Sequence, residues 1–406
     1  MLQQTATDFE ATREAGLHAL DAFAPKSGRA YAAGRNTDPG PGRNTGVSKL
    51  SPYVRRRMIT EREVVAATLE HHSPSAAEKF IQEVFWRTYF KGWLEMRPII
   101  WDRYLVARQN GFRDLDRDGA LRRDYELAIT GQTGIEGFDD WAQELVETGW
   151  LHNHARMWFA SIWIFTLRLP WALGADFFYK HLVDADPASN TLSWRWVGGL
   201  HTKGKTYLAR PDNIQKYTGG RFRPTELAPF AEPLIEDEDI PAPIPPRQGR
   251  VMVPDGDYAM LLTSDDLNPE SWPGFDKNPP QLVISIGQVP QEAELNDGDK
   301  ASTFTRQACQ EAGDRIAAPL GVEHHAIEPD KDAIVAVCRD KNLPSLALPM
   351  AMAGPCREFV AQSALAQDLE LVEVQRTWDI NAFPKATVGF FKVKKAIPKL
   401  LSQAGL

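Results

Sequence analysis

The stretch DADPASNTLSWRW, Asp184 to Trp196, decides how the rest of this sequence is interpreted. It places two carboxylates, an amide and two indoles where an ordinary core helix carries Leu, Ile and Val. Asn190 and Trp194 are four residues apart and share one face of the predicted helix, whereas Trp196 points elsewhere. Asp184 and Asp186 precede the helix, where acidic side chains suit the positive end of its dipole. The pattern is that of an acid-capped, Trp-rich core helix or of one wall of a ligand site.

A second polar pattern lies upstream in IQEVFWR, Ile81 to Arg87. Glu83 and Arg87 are four residues apart and Trp86 is three from Glu83, so all three side chains can share one helical face. The same spacing is typical of a surface ion pair beside a core tryptophan. Both interpretations stay open on this segment alone.

Two shorter segments add candidate ligand groups. In GWLHNHARM, Asn153 and Met157 share a face, and an amide on this apolar helix indicates a ligand edge or a structural polar network. Ser51 before Pro52 predicts a helix start with the Ser51 hydroxyl at the N-cap, and Ser48 lies three residues earlier. Exposed helix N–H groups with two hydroxyls can hold phosphate, although most Ser-Pro pairs only cap helices.

Basic residues with interleaved aromatics run from Arg195 to Arg223 against a single acid, Asp212. Such a segment suits a nucleic-acid backbone and its bases, and it also suits a solvated basic loop. Residues 1–230 hold 30 Lys and Arg against 27 Asp and Glu, whereas the remaining residues hold 16 against 27. Either the two parts differ in charge by chance, or only the first part faces a polyanion.

The apolar pattern changes along the chain, which predicts two kinds of domain. Upstream segments such as SAAEKFIQEVFWRTYFKGWLEM repeat bulky residues at helical spacing. Downstream, DYAMLLTS, QLVISIG, VEHHAI and PSLALP are predicted as buried strands between helices, which favours a largely parallel sheet. We therefore expect an all-helical domain over residues 1–227, a Pro-rich linker over 228–250 and a Rossmann-like α/β domain over 251–406.

The composition argues against several other classes of protein. Three late cysteines, Cys309, Cys338 and Cys356, do not make a disulfide framework, which favours the reducing cytoplasm. No window of about 18 apolar residues is present, so no membrane association is expected. The histidine pairs at 71–72 and 324–325 are adjacent and point apart, so no metal site is predicted.

Taken in order, the segments YAAGR, SKLSPY, QEVFWR, TGWLHNHARM and DADPASNTLSWRW resemble the flavin-binding helical domain of the DNA photolyase and cryptochrome family. The resemblance runs from Tyr31 to Phe222 and implies an FAD cofactor. The residues that match those holding the FAD phosphates are Tyr31, Ser48, Leu50 and Ser51. Those that match the surroundings of the flavin ring are Asn153, Arg156, Asp184, Asp186 and Asn190. In the family the matching arginine and first aspartate pair, and the position of Asn190 faces flavin N5.

The resemblance implies light-driven repair of cyclobutane pyrimidine dimers in DNA. In this family reduced FAD passes an electron to the dimer, the cyclobutane ring splits and the electron returns. Flipping the lesion out of the duplex costs a few kcal/mol, and stacking on indoles offsets this by roughly 1–3 kcal/mol per base. The residues that match the lesion pocket are Glu83, Trp86, Asn153, Met157 and Trp196. We also assign to DNA contacts Arg35, Arg87, Lys203, Lys205 and Arg210.

Several features depart from the family pattern. Of the three tryptophans that relay electrons to FAD, the inner two match Trp194 and Trp171, but the outer position falls at Ala128. A different route would pass through Trp158, Trp163 or Trp101. His154 stands where the dimer-repairing branch has arginine.

The order of the two halves also departs from the family, which places its α/β antenna domain first. The sequence identifies neither the antenna pigment nor a protein partner, and both stay unknown at this point. Two alternatives therefore stay open: a cryptochrome-like blue-light photoreceptor that binds FAD without repairing DNA, and a flavin-free DNA-binding remnant.

Overall fold

The structure is a computed structural model that describes residues 9–43 and 46–406. Helices fill the chain up to Tyr217, and strands alternate with helices from Tyr258 onward. The helices of the first part are α1 (Arg13–Phe23), α2 (Arg29–Gly34), α3 (Ser51–Arg55), α4 (Glu61–His71), α5 (Glu78–Glu95), α6 (Ile99–Arg117), α7 (Gly119–Thr130), α8 (Phe138–Thr148), α9 (Asn153–Ser161), α10 (Trp171–His181), α11 (Pro187–Val197) and α12 (Pro211–Tyr217). The second part contains β1 (Tyr258–Leu262), β2 (Leu282–Ile286), α13 (Pro290–Leu295), α14 (Asp299–Leu320), β3 (Glu323–Ile327), α15 (Lys331–Asp340), β4 (Ser345–Pro349), α16 (Pro355–Ser363), β5 (Glu370–Val374), α17 (Thr377–Ala382) and α18 (Phe391–Gln403).

Local sequence sets where two of the important helices begin. α11 is N-capped by Asp186, whose carboxylate accepts a hydrogen bond from the Ser189 backbone N–H at 2.8 Å. α3 begins at Ser51 as the Ser-Pro pair predicts, but its N-cap is Leu50 and not Ser51. The Ser48 hydroxyl accepts from the Leu50 backbone N–H at 3.4 Å, so it serves the turn that leads into the helix.

The strands form one parallel sheet in the order β3-β2-β1-β4-β5, which is the order of doubly wound nucleotide-binding sheets. The prediction of a parallel α/β arrangement is confirmed, and all four predicted strands are present. The prediction that VEHHAI is buried is wrong, because β3 lies at an edge of the sheet and its residues are exposed or half-buried. β5, with the sequence ELVEV, escapes prediction because its glutamates interrupt the apolar run.

The two parts of the chain share their cores. α1 and α3 share a core with α14 and one face of the sheet, and the rings of Tyr53 and Phe304 of α14 have centroids 5.9 Å apart. In the other direction, α18 packs into the helical core through Val393, Ile397 and Leu400. Segments from both ends of the sequence therefore complete both cores.

Three consecutive buried arginines, residues 55–57, add polar ties between the two parts. A guanidinium nitrogen of Arg55 lies 3.3 Å from the Asp265 carboxylate after β1, and one of Arg57 lies 2.7 Å from Asp379 in α17. Removing one partner of a buried ion pair is strongly destabilising, because the remaining charge stays without compensation. These arginines therefore fix the helical part against the sheet.

Residues 228–250, all within the described chain, contain no helix, as their Pro-rich composition predicts, and only an isolated β-bridge at Arg250. The segment follows the helical surface, where the Leu234 N–H donates to the Gly198 carbonyl at 2.9 Å and the Ile244 N–H to the Met96 carbonyl at 3.0 Å. It then runs beside β5. Among the described residues, no helix combines the length and apolarity that a membrane crossing requires.

Candidate active site

A cavity of about 580 Å³ lies among α5, α9, α10 and α11. Its walls bring together polar segments that are far apart in the sequence. The predicted site residues that line it are Arg35, Glu83, Trp86, Arg87, Asn153, Arg156, Met157, Asp184, Asp186, Asn190, Trp194 and Trp196. The juxtaposition favours a ligand site over the separate structural explanations that each segment allows alone.

Arg156 and Asp184 form a bidentate ion pair at the cavity wall. The guanidinium donates from Nη1 to Oδ1 at 3.0 Å and from Nη2 to Oδ2 at 2.8 Å. Arg156 also donates from Nε to the Leu151 carbonyl at 3.0 Å. A fork of this kind fixes the orientation of both side chains. The Asp184 carboxylate is buried, so the pair presents a rigid polar edge to the cavity.

Asp186 lies in a network of cations behind the same wall. Its carboxylate is 3.3 Å from Lys91 Nζ and 3.9 Å from Arg87 Nη2. Burial alone would raise the pKa of Asp186, but Lys91, Arg87 and Arg55 hold it well below its usual range. Asp186 is therefore an anion that caps α11 and holds that helix against α5.

Asn190 presents an oriented amide to the cavity. Its Nδ2 donates to the Ala175 carbonyl of α10 at 2.8 Å, and the residue is buried. With one N–H engaged by the backbone, the remaining amide N–H and the carbonyl are the groups left for a ligand. The bond also ties α11 to α10 at the cavity.

Glu83 and Trp86 of α5 form a second part of the wall. Arg35 Nη1 donates to Glu83 Oε1 at 2.7 Å. Burial raises the pKa of Glu83, and Arg35 opposes part of that shift. The Trp86 indole stacks on Phe390, which precedes α18, with centroids 3.9 Å apart and an interplanar angle of 13°. Phe390 does not itself line the cavity, so it supports the indole without forming part of the wall.

The mouth of the cavity carries amide, thioether and aromatic groups. Asn153, at the start of α9, is exposed, and Met157 one turn later is half-buried. Trp196 also lines the cavity and stacks on Tyr207 with ring centroids 5.7 Å apart. Tyr207 belongs to the basic segment after α11, so this segment lies next to the cavity.

The residues predicted to hold phosphate do not line the cavity. Tyr31 is buried in an aromatic cluster, with its ring centroid 5.1 Å from that of Phe80. Burial, with Glu83 as a smaller contribution, raises the pKa of Tyr31 well above its usual range. The other three, Ser48, Leu50 and Ser51, lie at the start of α3.

The predicted electron-relay residues lie on two different aromatic paths. The Trp194 ring packs edge-to-face on Phe178 at 5.1 Å and on Trp163 at 6.1 Å. Trp171 lies beside Tyr104, with centroids 5.9 Å apart. Ala128, at the family's outer tryptophan position, is fully buried on α7. The half-buried Tyr125 lies one turn before Ala128 and touches Trp163 edge-to-face at 6.0 Å.

The predicted DNA-contacting residues differ in their availability. Lys203, Lys205 and Arg210 are exposed, and Lys203 Nζ lies 2.7 Å from Asp239 of the linker in a solvated pair. Arg87, in contrast, is largely buried and donates to the Arg55 backbone carbonyl at 2.9 Å. These contacts leave Arg87 less available to bind DNA than the other residues predicted to do so.

Sequence reasoning misses several groups of the site. Ser189 and Ser193 line the cavity beside Asn190, and Lys91 holds Asp186. Helical spacing could have found the serines, since residues 186, 189, 190, 193 and 197 follow one face of α11. No local signal indicates Phe390 or Lys91. In the described residues, no cluster of three His, Cys, Asp or Glu side chains is placed to hold a metal ion.

Comparison with known proteins shows what the helical segment around this cavity is similar to. A family model described as the FAD binding domain of DNA photolyase matches residues 80–219, which contain most of the cavity wall. A deoxyribodipyrimidine photo-lyase of Alkalihalophilus pseudofirmus is 29% identical over 214 residues, covering 51% of this chain and 42% of the relative. One from Thermus thermophilus is 32% identical over 199 residues, covering 49% of this chain and 45% of the relative.

Among solved structures, a bacterial class III photolyase from Agrobacterium tumefaciens matches 54% of this chain and 46% of its own, with 26% identity and a TM-score of 0.43. The chain spans less than half the length of the curated relatives that are named above. Residues 80–219 are therefore similar to the FAD binding domain of DNA photolyase, in line with the resemblance of the sequence motifs to the photolyase and cryptochrome family, and FAD is the cofactor that this similarity supports.

Proposed function

We propose that this protein repairs cyclobutane pyrimidine dimers in DNA under blue light, with FAD bound beside Asn190. One observation carries the proposal: the groups matched to the flavin ring and those matched to the lesion line a single cavity. The Arg156–Asp184 pair and the Asn190 amide form its inner polar edge, and Glu83, Trp86, Asn153, Met157 and Trp196 complete it.

The groups around the cavity fit a flavin ring. The amide of Asn190 and the serine hydroxyls beside it can bond the ring's heteroatoms, while Phe178, Leu182 and Val197 supply apolar surface for its faces. When bound and reduced, FAD supplies the light-excited electron donor. The phosphates would be held by Tyr31, Ser48, Leu50 and Ser51.

The chain's own side chains bind and orient the lesion. Trp86 and Trp196 stack on the extruded bases, at roughly 1–3 kcal/mol per base. Glu83 hydrogen-bonds a pyrimidine edge, in an orientation that its ion pair with Arg35 sets. Lys203, Lys205, Arg210 and Arg35 contact the phosphates. Trp194 passes electrons to the cavity and receives them either through Trp163 and Tyr125 or through Trp171, the position that the family resemblance implies.

The second half of the chain is proposed to be an antenna-like domain that follows the helical one. Its parallel sheet has the nucleotide-binding strand order, which supports this assignment. All three cysteines are free and buried, which supports a reducing compartment such as the cytoplasm.

A photoreceptor without repair activity is the second candidate. It is favoured by Ala128 and by His154, whose ring stacks on Trp158 at 4.6 Å and whose Nδ1 bonds the Asn36 carbonyl at 3.0 Å. Burial lowers the pKa of His154, so it does not replace the cation that an arginine would offer to DNA.

One experiment separates the two candidates. Purified, reduced protein is illuminated with an oligonucleotide that contains a cyclobutane dimer, and the remaining dimers are counted by chromatography. We expect light-dependent loss of dimers by the wild type and little by Trp86→Ala or Glu83→Gln. Retained flavin without any loss of dimers would reject repair and favour the photoreceptor.

A further inference from the structure

The last helix of the chain, α18, has a basic exposed face. Lys392, Lys395 and Lys399 are exposed and repeat at intervals of three and four, while the opposite face is buried in the helical core. Residues 385–406 contain five lysines and no aspartate or glutamate, although the whole chain has a net charge of −8. This helix is therefore basic, whereas the chain as a whole is acidic.

This basic face begins beside the cavity. Phe390, directly before α18, stacks on Trp86 of the cavity wall, and Lys394 lies 3.4 Å from Glu78 in the first turn of α5. These two contacts align α18 with the part of α5 that carries Glu83 and Trp86. Glu78, the acid that faces α18 here, is already paired with Lys394.

Two large apolar side chains are exposed at the same end. Val388 is 59% exposed and Phe391 is 65% exposed. The Lys395 ammonium lies 4.6 Å from the centroid of the Phe391 ring. An exposed ring beside lysines, next to the Phe390–Trp86 stack, suits a nucleic acid, because bases stack on aromatic rings while cations meet the phosphates.

We propose that the α18 basic face, defined by Lys392, Lys395 and Lys399 with Phe391 at its start, binds the DNA strand that flanks the extruded lesion. The inference rests on the proposed function and deepens it. It assigns part of the DNA surface to the very end of the chain, outside the segment that matches the family model. The lysines meet phosphates, and Phe391 stacks on or wedges beside a base next to the lesion.

The expected effect follows from counterion release. Each phosphate contact steepens the dependence of log affinity on log salt by about 0.9, so losing three lysines flattens the slope by about 2–3 and weakens binding about 100-fold near 0.1 M salt. Phosphate contacts carry no sequence information, so damaged and undamaged DNA are affected alike.

The test uses the full chain with its flavin. Fluorescence anisotropy measures binding of dimer-containing and undamaged duplexes at several salt concentrations. The variant K392Q/K395Q/K399Q is compared with R113Q/R117Q/R123Q, which removes the same charge from exposed positions on α6 and α7 away from the cavity. We expect the flatter slope only for the lysine variant. The inference is overturned if both variants show the same slope, or if the lysine variant keeps the wild-type slope.

A second arm tests Phe391. We expect Phe391→Ala to weaken binding of a dimer in duplex DNA by about tenfold, or 1.4 kcal/mol, and a dimer in a short single strand much less. If Phe391→Ala weakens binding of both substrates equally, or of neither, Phe391 does not contribute to the DNA-binding face as proposed. Failure of the proposed function is distinguishable: wild-type protein would then show no preference for damaged over undamaged DNA, whatever the lysine variant does to the slope.

Discussion

Asn190 shows how one hydrogen bond decides what a residue can offer a ligand. Its amide donates to the Ala175 carbonyl, so the direction of the side chain is set by α10 and not by its own helix. The sequence pattern identifies Asn190 as a site residue, but it cannot supply this orientation, because Ala175 carries no signal of its own.

The Arg156–Asp184 pair gives the first prediction. Arg156→Leu leaves the buried Asp184 carboxylate unpaired and should lower the free energy of unfolding by about 3 kcal/mol. The double variant R156L/D184L should recover part of that loss, since no charge remains buried. Urea unfolding followed by circular dichroism measures both, with the exposed Arg123→Leu as control. Equal losses in the single and double variants would contradict the coupling.

Glu144 of α8 gives a prediction about pH. Burial, assisted by Asp38, raises the pKa of Glu144 to about 8. A carboxyl with a raised pKa in the folded state contributes stability that is complete below its unfolded pKa, about 4.3, and is lost as the pH rises toward 8. Glu144→Gln should therefore gain stability relative to the wild type as the pH rises from about 5 to about 9.

Urea midpoints across that pH range check the Glu144 prediction. Glu147→Gln, an exposed position on the same helix, is the matched control and should follow the wild type. A constant difference between Glu144→Gln and the wild type at every pH would show that Glu144 does not titrate as described.

At the scale of elements, burial explains which strands the sequence predicts. β1, β2 and β4 are buried along their whole length, so the sequence of each is largely apolar and predicts a buried strand. β5 lies at an edge, where Glu370 and Glu373 are tolerated, and its pattern is lost. For α11, helical periodicity with the capping position of Asp186 is enough to predict the cavity-facing side.

The aromatic path through α7 gives a prediction at the element scale. Trp163, in the π-helical turn Ile162–Thr166, touches Trp194 on one side and Tyr125 on the other. Trp163→Phe should slow light-driven uptake of electrons from an external reductant about tenfold, equivalent to about 1.4 kcal/mol in the barrier. Transient absorption measures the rate. Trp171→Phe is the matched variant. If electron uptake is slowed in Trp171→Phe but not in Trp163→Phe, the result favours the route implied by the family resemblance.

At the scale of the whole molecule, the contacts that close the site come from distant parts of the chain. Phe390 stacks on Trp86, and the arginines at 55–57 are buried against the sheet region. Neither is predictable from local sequence, since arginines are usually exposed and a stacking partner 304 residues away leaves no pattern. The family motifs predict the cavity wall, whereas the packing of the two chain ends requires the structure.

The shared cores predict that the helical part does not fold alone. A fragment of residues 1–227 lacks α18 and exposes the surfaces of α1 and α3 that belong to the core shared with α14 and the sheet. We expect it to lose the cooperative urea transition of the full chain, and co-expression with residues 228–406 to restore it. A fragment that unfolds with the midpoint and cooperativity of the full chain would contradict this account of the packing.

The most direct test of the central claim is the visible absorption spectrum of the purified full chain, with the chromophore released by denaturation and quantified. A cavity that holds FAD between Asn190 and the Arg156–Asp184 pair predicts a yellow protein with close to one FAD per chain, lost in Arg156→Leu protein that remains folded. A colourless wild-type protein that takes up no FAD on reconstitution would contradict the account.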